Sequence, residues 1–474
     1  MCPANKTNPT GIADSEFDYY VPENEAEDRL DLFRRDYPRF GPVVYIPPTV
    51  TAKELKQTRP LLWVSVMACT TRSTKEAHVI GDKIRHIVSD KVVRQPHSHK
   101  KENPFISIWT GIGVSIAHDL GLTALKVETP FTFMKKFAFH GMKTPQSKER
   151  TMEARRTILA LASQMLRRDN NLRWTPHMEE SLRLMMEQPE CEGDKTLAVQ
   201  VRCALISEQL NDLVMQQALS GVSQTPLYFI KSLDGQLQEV WRTLPNLTSS
   251  SRDGHDTVLL HMYATEVIIN ELALHLPPST TSSDETSRLE RLQKCVKAIE
   301  NWFDAYDRTP PSMALGGTFH LFVQLVHCLV TVIKLSRPDD DFPAWDAAEV
   351  RRRLNIFALF DRVSARMDAI QAAVGIREDD EREESIWAKS AMVMRLMKAG
   401  VQADWAAADG DPDPAAGGGA QPLDNRLALT TGNEGVMGAN LPMNQDALTG
   451  EFVHNFGDDP WLSAIFIPWD TMNF

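Results

Sequence analysis

The residue types that do chemistry are all present in this 474-residue chain, but seldom at a working spacing. His97 and His99 stand two residues apart, and two imidazoles are the start of a metal site. No third ligand follows nearby, so the pair reads as solvated loop. His118 and Asp119 offer a base and its orienter by type. Adjacent residues on a helix point apart, which makes them a helix-end pair instead. Gly111-Ile112-Gly113 lacks the third glycine and the preceding strand of a dinucleotide turn. Nucleophile-elbow, phosphate-loop and zincin motifs do not occur. With no paired carboxylates and no nucleophile–base spacing, the catalytic set is empty and the chain does not read as an enzyme.

The six cysteines, Cys2, Cys69, Cys191, Cys203, Cys295 and Cys328, are scattered, and none forms a C-x-x-C pair. That usage fits a reducing compartment and gives no zinc spacing. The most apolar run, Leu321–Ile333, contains Gln324 and His327 and is too short to span a bilayer. The N-terminus lacks a charged-then-apolar leader pattern. The expectation is a soluble intracellular protein with no membrane role.

Charge is uneven. The net value is −12, and from Asp404 to Phe474 eleven acidic residues face one basic residue, Arg426. Bulk electrostatic coating of nucleic acid is thereby disfavoured. Lys83–Lys101 is locally basic, with Lys83, Arg85, Lys91, Arg94, Lys100 and Lys101 against Asp82 and Asp90. A nucleic-acid or nuclear-import role is one reading; the other is the polar face of a helix followed by a loop. No aromatic platform is interleaved with it. At the other end, Phe452, Phe456, Trp461, Phe466, Trp469 and Phe474 are set among Glu451, Asp458, Asp459 and Asp470. Acids that keep bulky side chains solvated until a partner groove takes them are the composition of an activation segment. The competing reading docks these aromatics on the chain's own helices.

The elements that must position these residues are helices. The organising stretch, Thr151 to Leu213, shows three amphipathic patterns. The first places Ala154, Ile158, Leu161, Ala162 and Met165 on one stripe, with Arg155 and Arg156 off it. Trp174 leads into Thr175-Pro176, an N-cap and a first helical residue, and Met178, Leu182 and Met185 form the second stripe. Asp194 reads as the cap of the third, which carries Leu197, Val201, Ala204 and Leu205. Further stripes follow at Leu227–Leu244, Leu260–Leu274 and Leu289–Phe303. Residues 318–334 are apolar nearly all round, which marks a central helix. Two more helices are expected around 346–374 and 383–399, and no alternating strand run of useful length appears. Trp63, Leu161, Trp174 and Pro176 are the expected structural anchors.

The organisation that follows is all-α. Residues 1–50 form an acidic, linker-like segment with one short helix near Leu30–Arg35; residues 51–400 form a helical regulatory domain of antiparallel packed helices. Residues 401–474 combine an Ala/Gly/Pro-rich linker with the acidic, aromatic tail, both ends being partly disordered.

Several stretches in this order resemble the regulatory region of fungal binuclear zinc-cluster transcription factors. They are Arg59-Pro60-Leu61-Leu62-Trp63, Ile80-Gly81-Asp82-Lys83-Ile84-Arg85, Asp119-Leu120-Gly121-Leu122 and Thr151-Met152-Glu153-Ala154-Arg155-Arg156. Leu172-Arg173-Trp174-Thr175-Pro176-His177-Met178 and Pro343-Ala344-Trp345-Asp346 complete the set, which covers roughly residues 40–370. The resemblance implies a nuclear transcription regulator, with the transcription machinery or coactivators as partners. Two features depart from it. The family's six-cysteine zinc cluster is absent from this chain, since only Cys2 lies in the first 68 residues. Zinc is therefore not expected as a cofactor, and DNA is reached only through a missing cluster or a partner. The second departure is Arg94–Lys101, a basic loop where the pattern holds a helix. A co-regulator that acts by homo- or heteromeric pairing, without DNA binding of its own, is the alternative.

Overall fold

A computed structural model describes residues 19–92, 151–165, 174–220, 227–243, 252–275, 282–316, 319–337, 342–379 and 385–409. Of these, 83% are helical and none lies in a strand, as expected for an all-α chain. The candidate residues His97, His99, Gly111, Gly113, His118 and Asp119 and the aromatic segment Phe452–Phe474 lie outside the described residues.

The N-terminal layer contains α1 (Glu23–Asp36), α2 (Ala52–Thr58), α3 (Pro60–Thr70) and α4 (Thr74–Val92). α1 carries acids in its first turn and arginines in its last, which complement the helix dipole. α2 starts on Thr51, whose side chain accepts from the Glu54 amide at 3.1 Å. α3 starts on Pro60, where the missing N–H costs nothing. Trp63, 2% exposed, packs with Leu30, Leu55, Met67 and Ile80 in the centre of this layer. Residues 23–50 thus do more than link: α1 is fourteen residues long and buries Ala26 and Leu30 against α3. Its many charges hide the stripe from a compositional reading.

The organising unit is α5 (Met152–Met165), α6 (Pro176–Glu187) and α7 (Glu192–Ser220). α6 follows the sequence closely, with Thr175 capping the Met178 amide and Met178, Leu182 and Met185 fully buried. α5 presents a different face from the one expected. Its buried residues are Arg155, Arg156, Ile158, Leu159, Ala160 and Ala162, whereas Leu161 is only partly buried. The physical reason is that both arginines find polar partners inside, so charge did not mark the outer face.

α7 joins two cores. Leu197, Ala198 and Val201 face the α5–α6 side, while Val199, Cys203, Ile206 and Leu210 face the larger cluster. That cluster is closed by α8 (Leu227–Thr243), α9 (Arg252–Glu271), α10 (Ser282–Arg308), α11 (Phe319–Leu335), α12 (Ala347–Arg353), α13 (Ile356–Val374) and α14 (Ile386–Asp409). α9 and α10 run antiparallel, since Asp256 meets Arg308 at one end and Asn270 meets Arg291 towards the other. α13 and α14 are likewise antiparallel, through Asp361–Lys398 and Asp368–Arg395.

The helix expected over 346–374 is interrupted at Leu354-Asn355, because Asn355 caps a new helix by accepting from the Ala358 amide at 3.1 Å. The last helix runs on to Asp409 rather than stopping near 399. Gly316 is required where the 311–316 turn meets the end of α1: a Cβ there would stand 2.5 Å from the Asp36 carbonyl oxygen. Among the described residues one window, Asp256–Leu274, is long and apolar enough to cross a membrane, but 83% of it is buried inside the bundle.

Candidate functional site

The buried polar groups lie in two places. The first is the Arg156 cluster between α5 and the start of α7. Arg156 Nε donates to Asp194 Oδ1 at 2.5 Å and Nη2 to Oδ2 at 3.0 Å, a bidentate pair. Nη2 also reaches Glu190 at 2.6 Å, and the guanidinium lies over the Tyr45 ring at 5.4 Å. Asp194 accepts the Glu190 and Cys191 amides at 2.7 and 3.1 Å. It therefore sits inside the first turn of α7, which begins at Glu192, and reaches back to the preceding turn instead of acting as the N-cap. Burial pushes the Asp194 carboxyl up, but Arg156 and the two amides outweigh it and hold it below its ordinary value.

The second place is a seam along α9 and α11. His261 is fully enclosed, and burial lowers its imidazole to about 4, so it is neutral at physiological pH. A neutral imidazole has one N–H and one lone pair. Gln200 Nε2 donates to the Phe40 carbonyl at 2.8 Å and lies 3.1 Å from His261 Nε2, which makes that nitrogen the acceptor. Nδ1 then carries the proton; Gln324 Nε2 is placed 2.9 Å from it, so the amide is assigned the flipped orientation, in which its oxygen accepts and no donor faces a donor. His320 stacks on the ring at 5.2 Å. Further along the seam, His327 Nε2 lies 3.0 Å from Glu271 Oε2, and Thr331 donates to the same oxygen at 2.9 Å. Burial raises the Glu271 carboxyl, but His327, Lys334 and Thr331 together hold it below its usual value.

Neither place is built for catalysis. No nucleophile faces His261 within hydrogen-bond reach among the described contacts, and burial pushes Cys203 up to about 12 and Cys295 and Cys328 well above their ordinary value. Glu208, raised to about 7 by burial and by Asp212 one turn on, has no such partner either. Among the described residues, no group of three or more His, Cys, Asp or Glu could hold a metal ion. What the seam does is connect. It ties Phe40, in the N-terminal layer, through α7 and α9 to α11 by directional bonds that apolar packing cannot supply.

The expected anchors fall in different places. Trp63 is central to the N-terminal core, Leu161 lies at the margin of the second cluster, and Trp174 is half-buried with its indole donating to Glu179 at 3.2 Å. Pro176 is the exposed first residue of α6. Lys83 lies over the Tyr19 ring at 5.6 Å. The sequence reading missed His261, Gln200 and Glu271. Gln324 and His327 were visible only as interruptions in an apolar run, and that interruption was the available signal.

The described residues form helices tied together by buried polar groups, an arrangement that does not by itself assign a function. Comparison with known proteins narrows it, and the resemblance to fungal transcription factors is borne out. The ATEG07667_C family, described as a C-terminal domain, matches residues 311–471, from the turn before α11 through the stretch that contains Trp461 and Trp469. The transcription factor opdL of Penicillium oxalicum is 24% identical over 389 residues, covering 74% of this chain and 67% of that protein. A transcription factor of Aspergillus terreus is 26% identical over 378 residues, covering 74% and 57%. The transcriptional regulator WAR1 of Candida albicans is 25% identical over 329 residues, covering 61% and 33%. The chain thus spans about two thirds or less of the length of these relatives. No solved structure matches it.

Proposed function

We propose that this chain is a nuclear transcription regulator whose helical domain scaffolds and restrains an acidic, aromatic activation segment at residues 451–474. The observation that carries the reading is similarity to proteins named transcription factors over 74% of the chain. The charge pattern supports it, since residues 404–474 carry −10 of the net −12 and four of their acids, Glu451, Asp458, Asp459 and Asp470, are interleaved with six aromatics. The partner is a coactivator groove that takes those side chains, each worth about 1.5–3 kcal/mol when fully buried. The carboxylates keep the segment soluble and steer encounter.

The test is a fusion of residues 410–474 to an unrelated DNA-binding module. It should activate a reporter; Trp461→Ala with Trp469→Ala should remove most of the activity, and Asp458→Asn with Asp459→Asn should only weaken it. A silent fusion, or one indifferent to loss of both tryptophans, would mean that the aromatics are packed structure.

A further inference from the structure

Two stretches three hundred residues apart meet where α3 turns into α4. The Arg377 amide donates to the Arg72 carbonyl at 2.7 Å and the Thr74 amide donates to the Arg377 carbonyl at 3.2 Å, forming a single parallel bridge. The Ser73 hydroxyl donates to the Asp379 carboxylate and accepts the Glu76 amide at 3.0 Å. The chain reaches this place because α13 ends at Gly375 with φ 72°, a left-handed turn that redirects it towards the N-terminal layer. Thr71 and Thr74 are buried beneath, whereas Arg72, Arg377 and Asp379 are exposed and Ser73 is half-buried. Opposite charges flank the contact: Arg72 and Lys75 on one side, and Glu378 and Asp379 on the other.

We propose that this contact is a releasable clasp and that Ser73 is the modification site that opens it, through phosphorylation by a protein kinase using ATP. The Ser73 Oγ–P bond forms as the bond between the γ-phosphorus and the β–γ bridging oxygen of ATP breaks. The hydroxyl proton passes to the kinase's base and ADP departs. The product has lost the donor that Asp379 accepts and sets close to two negative charges against that carboxylate and its neighbour Glu378. The Glu76 amide keeps an acceptor, because a phosphate oxygen at a helix N-terminus serves it as the hydroxyl did. α4 therefore survives while the clasp opens. The N-terminal layer and the α13–α14 pair lose the backbone bridge that ties them at this edge. Arg72 and Arg377 also lie beside Ser73 and favour the opposite result, a tightened clasp, but in direct contact with the hydroxyl stands a carboxylate.

The test is the full chain with phosphoserine genetically encoded at position 73, read by hydrogen exchange at the Thr74 and Arg377 amides. Like-charge repulsion of this size should speed exchange at both by at least about tenfold while the later α4 amides stay unchanged. Ser73→Ala, which loses the cap and the donor but adds no charge, should speed exchange clearly less than phosphoserine does. Asp379→Lys in the phosphoserine chain should restore protection. Unchanged or greater protection in the phosphoserine chain overturns the proposal, as does Ser73→Ala opening the clasp equally. Phosphopeptide mapping of the chain recovered from its own cells should find phosphate on Ser73; full coverage of that peptide without it rejects the assignment.

Discussion

Arg156 is 2% exposed and Asp194 0%, so the pair lies where charge is tolerated only with complete partnering. Replacing Arg156 by Met leaves a buried carboxylate with only two amide donors, and should cost about 3 kcal/mol in urea denaturation. Adding Asp194→Leu should recover more than half of that loss, because the stranded charge disappears with it. Little of this was legible in the sequence. Arg155 and Arg156 carry the signature of an outer face, and the partner that brings Arg156 in lies 38 residues away.

His261 gives a prediction with a definite sign. Its folded value, about 4, lies below the ordinary 6.5, so between those values the unfolded chain holds a proton that the native chain does not. Stability is then complete above pH 6.5 and falls as the pH drops towards 4, by about 3 kcal/mol in total. His261→Gln should flatten that part of the pH–stability curve. A variant that keeps the wild-type slope would place the proton uptake elsewhere.

At the scale of elements, the spacing of apolar residues was a good guide to where helices lie and a poorer one to which way they face. The stripe Met178, Leu182 and Met185 of α6 and the run Leu292, Val296, Ile299 and Phe303 of α10 are buried as the pattern expects. α5 is rotated relative to its pattern, so Leu159→Asp, at a fully buried position, should unfold the chain, whereas Leu161→Asp should be much milder. Equal melting of the two variants would restore Leu161 to the centre of the face. The break between α12 and α13 escaped notice because Leu354-Asn355 contains neither glycine nor proline; the stop is made by a side-chain cap. Asn355→Ala should cost about 1 kcal/mol, measured as a fall in the urea midpoint.

At the scale of the molecule, an all-α reading followed from periodicity and from the lack of alternating runs, and 83% helix among the described residues agrees with it. The placing of the N-terminal segment was less legible. A helix of fourteen residues dense in Glu, Asp and Arg looks solvated until Leu30 and Ala26 find α3. Trp63→Ala, in the core that α1 helps to close, should cost about 3–5 kcal/mol and shift the thermal transition of the whole chain.

In the function proposed for this chain, the helical domain restrains an activation segment that works when freed. One measurement addresses it directly: reporter output from residues 410–474 and from the full chain, each fused to the same unrelated DNA-binding module and matched for abundance. Restraint should show as strong activation by the segment alone and several-fold less from the full chain. Equal output from both would contradict restraint, and silence from the free segment would contradict activation itself.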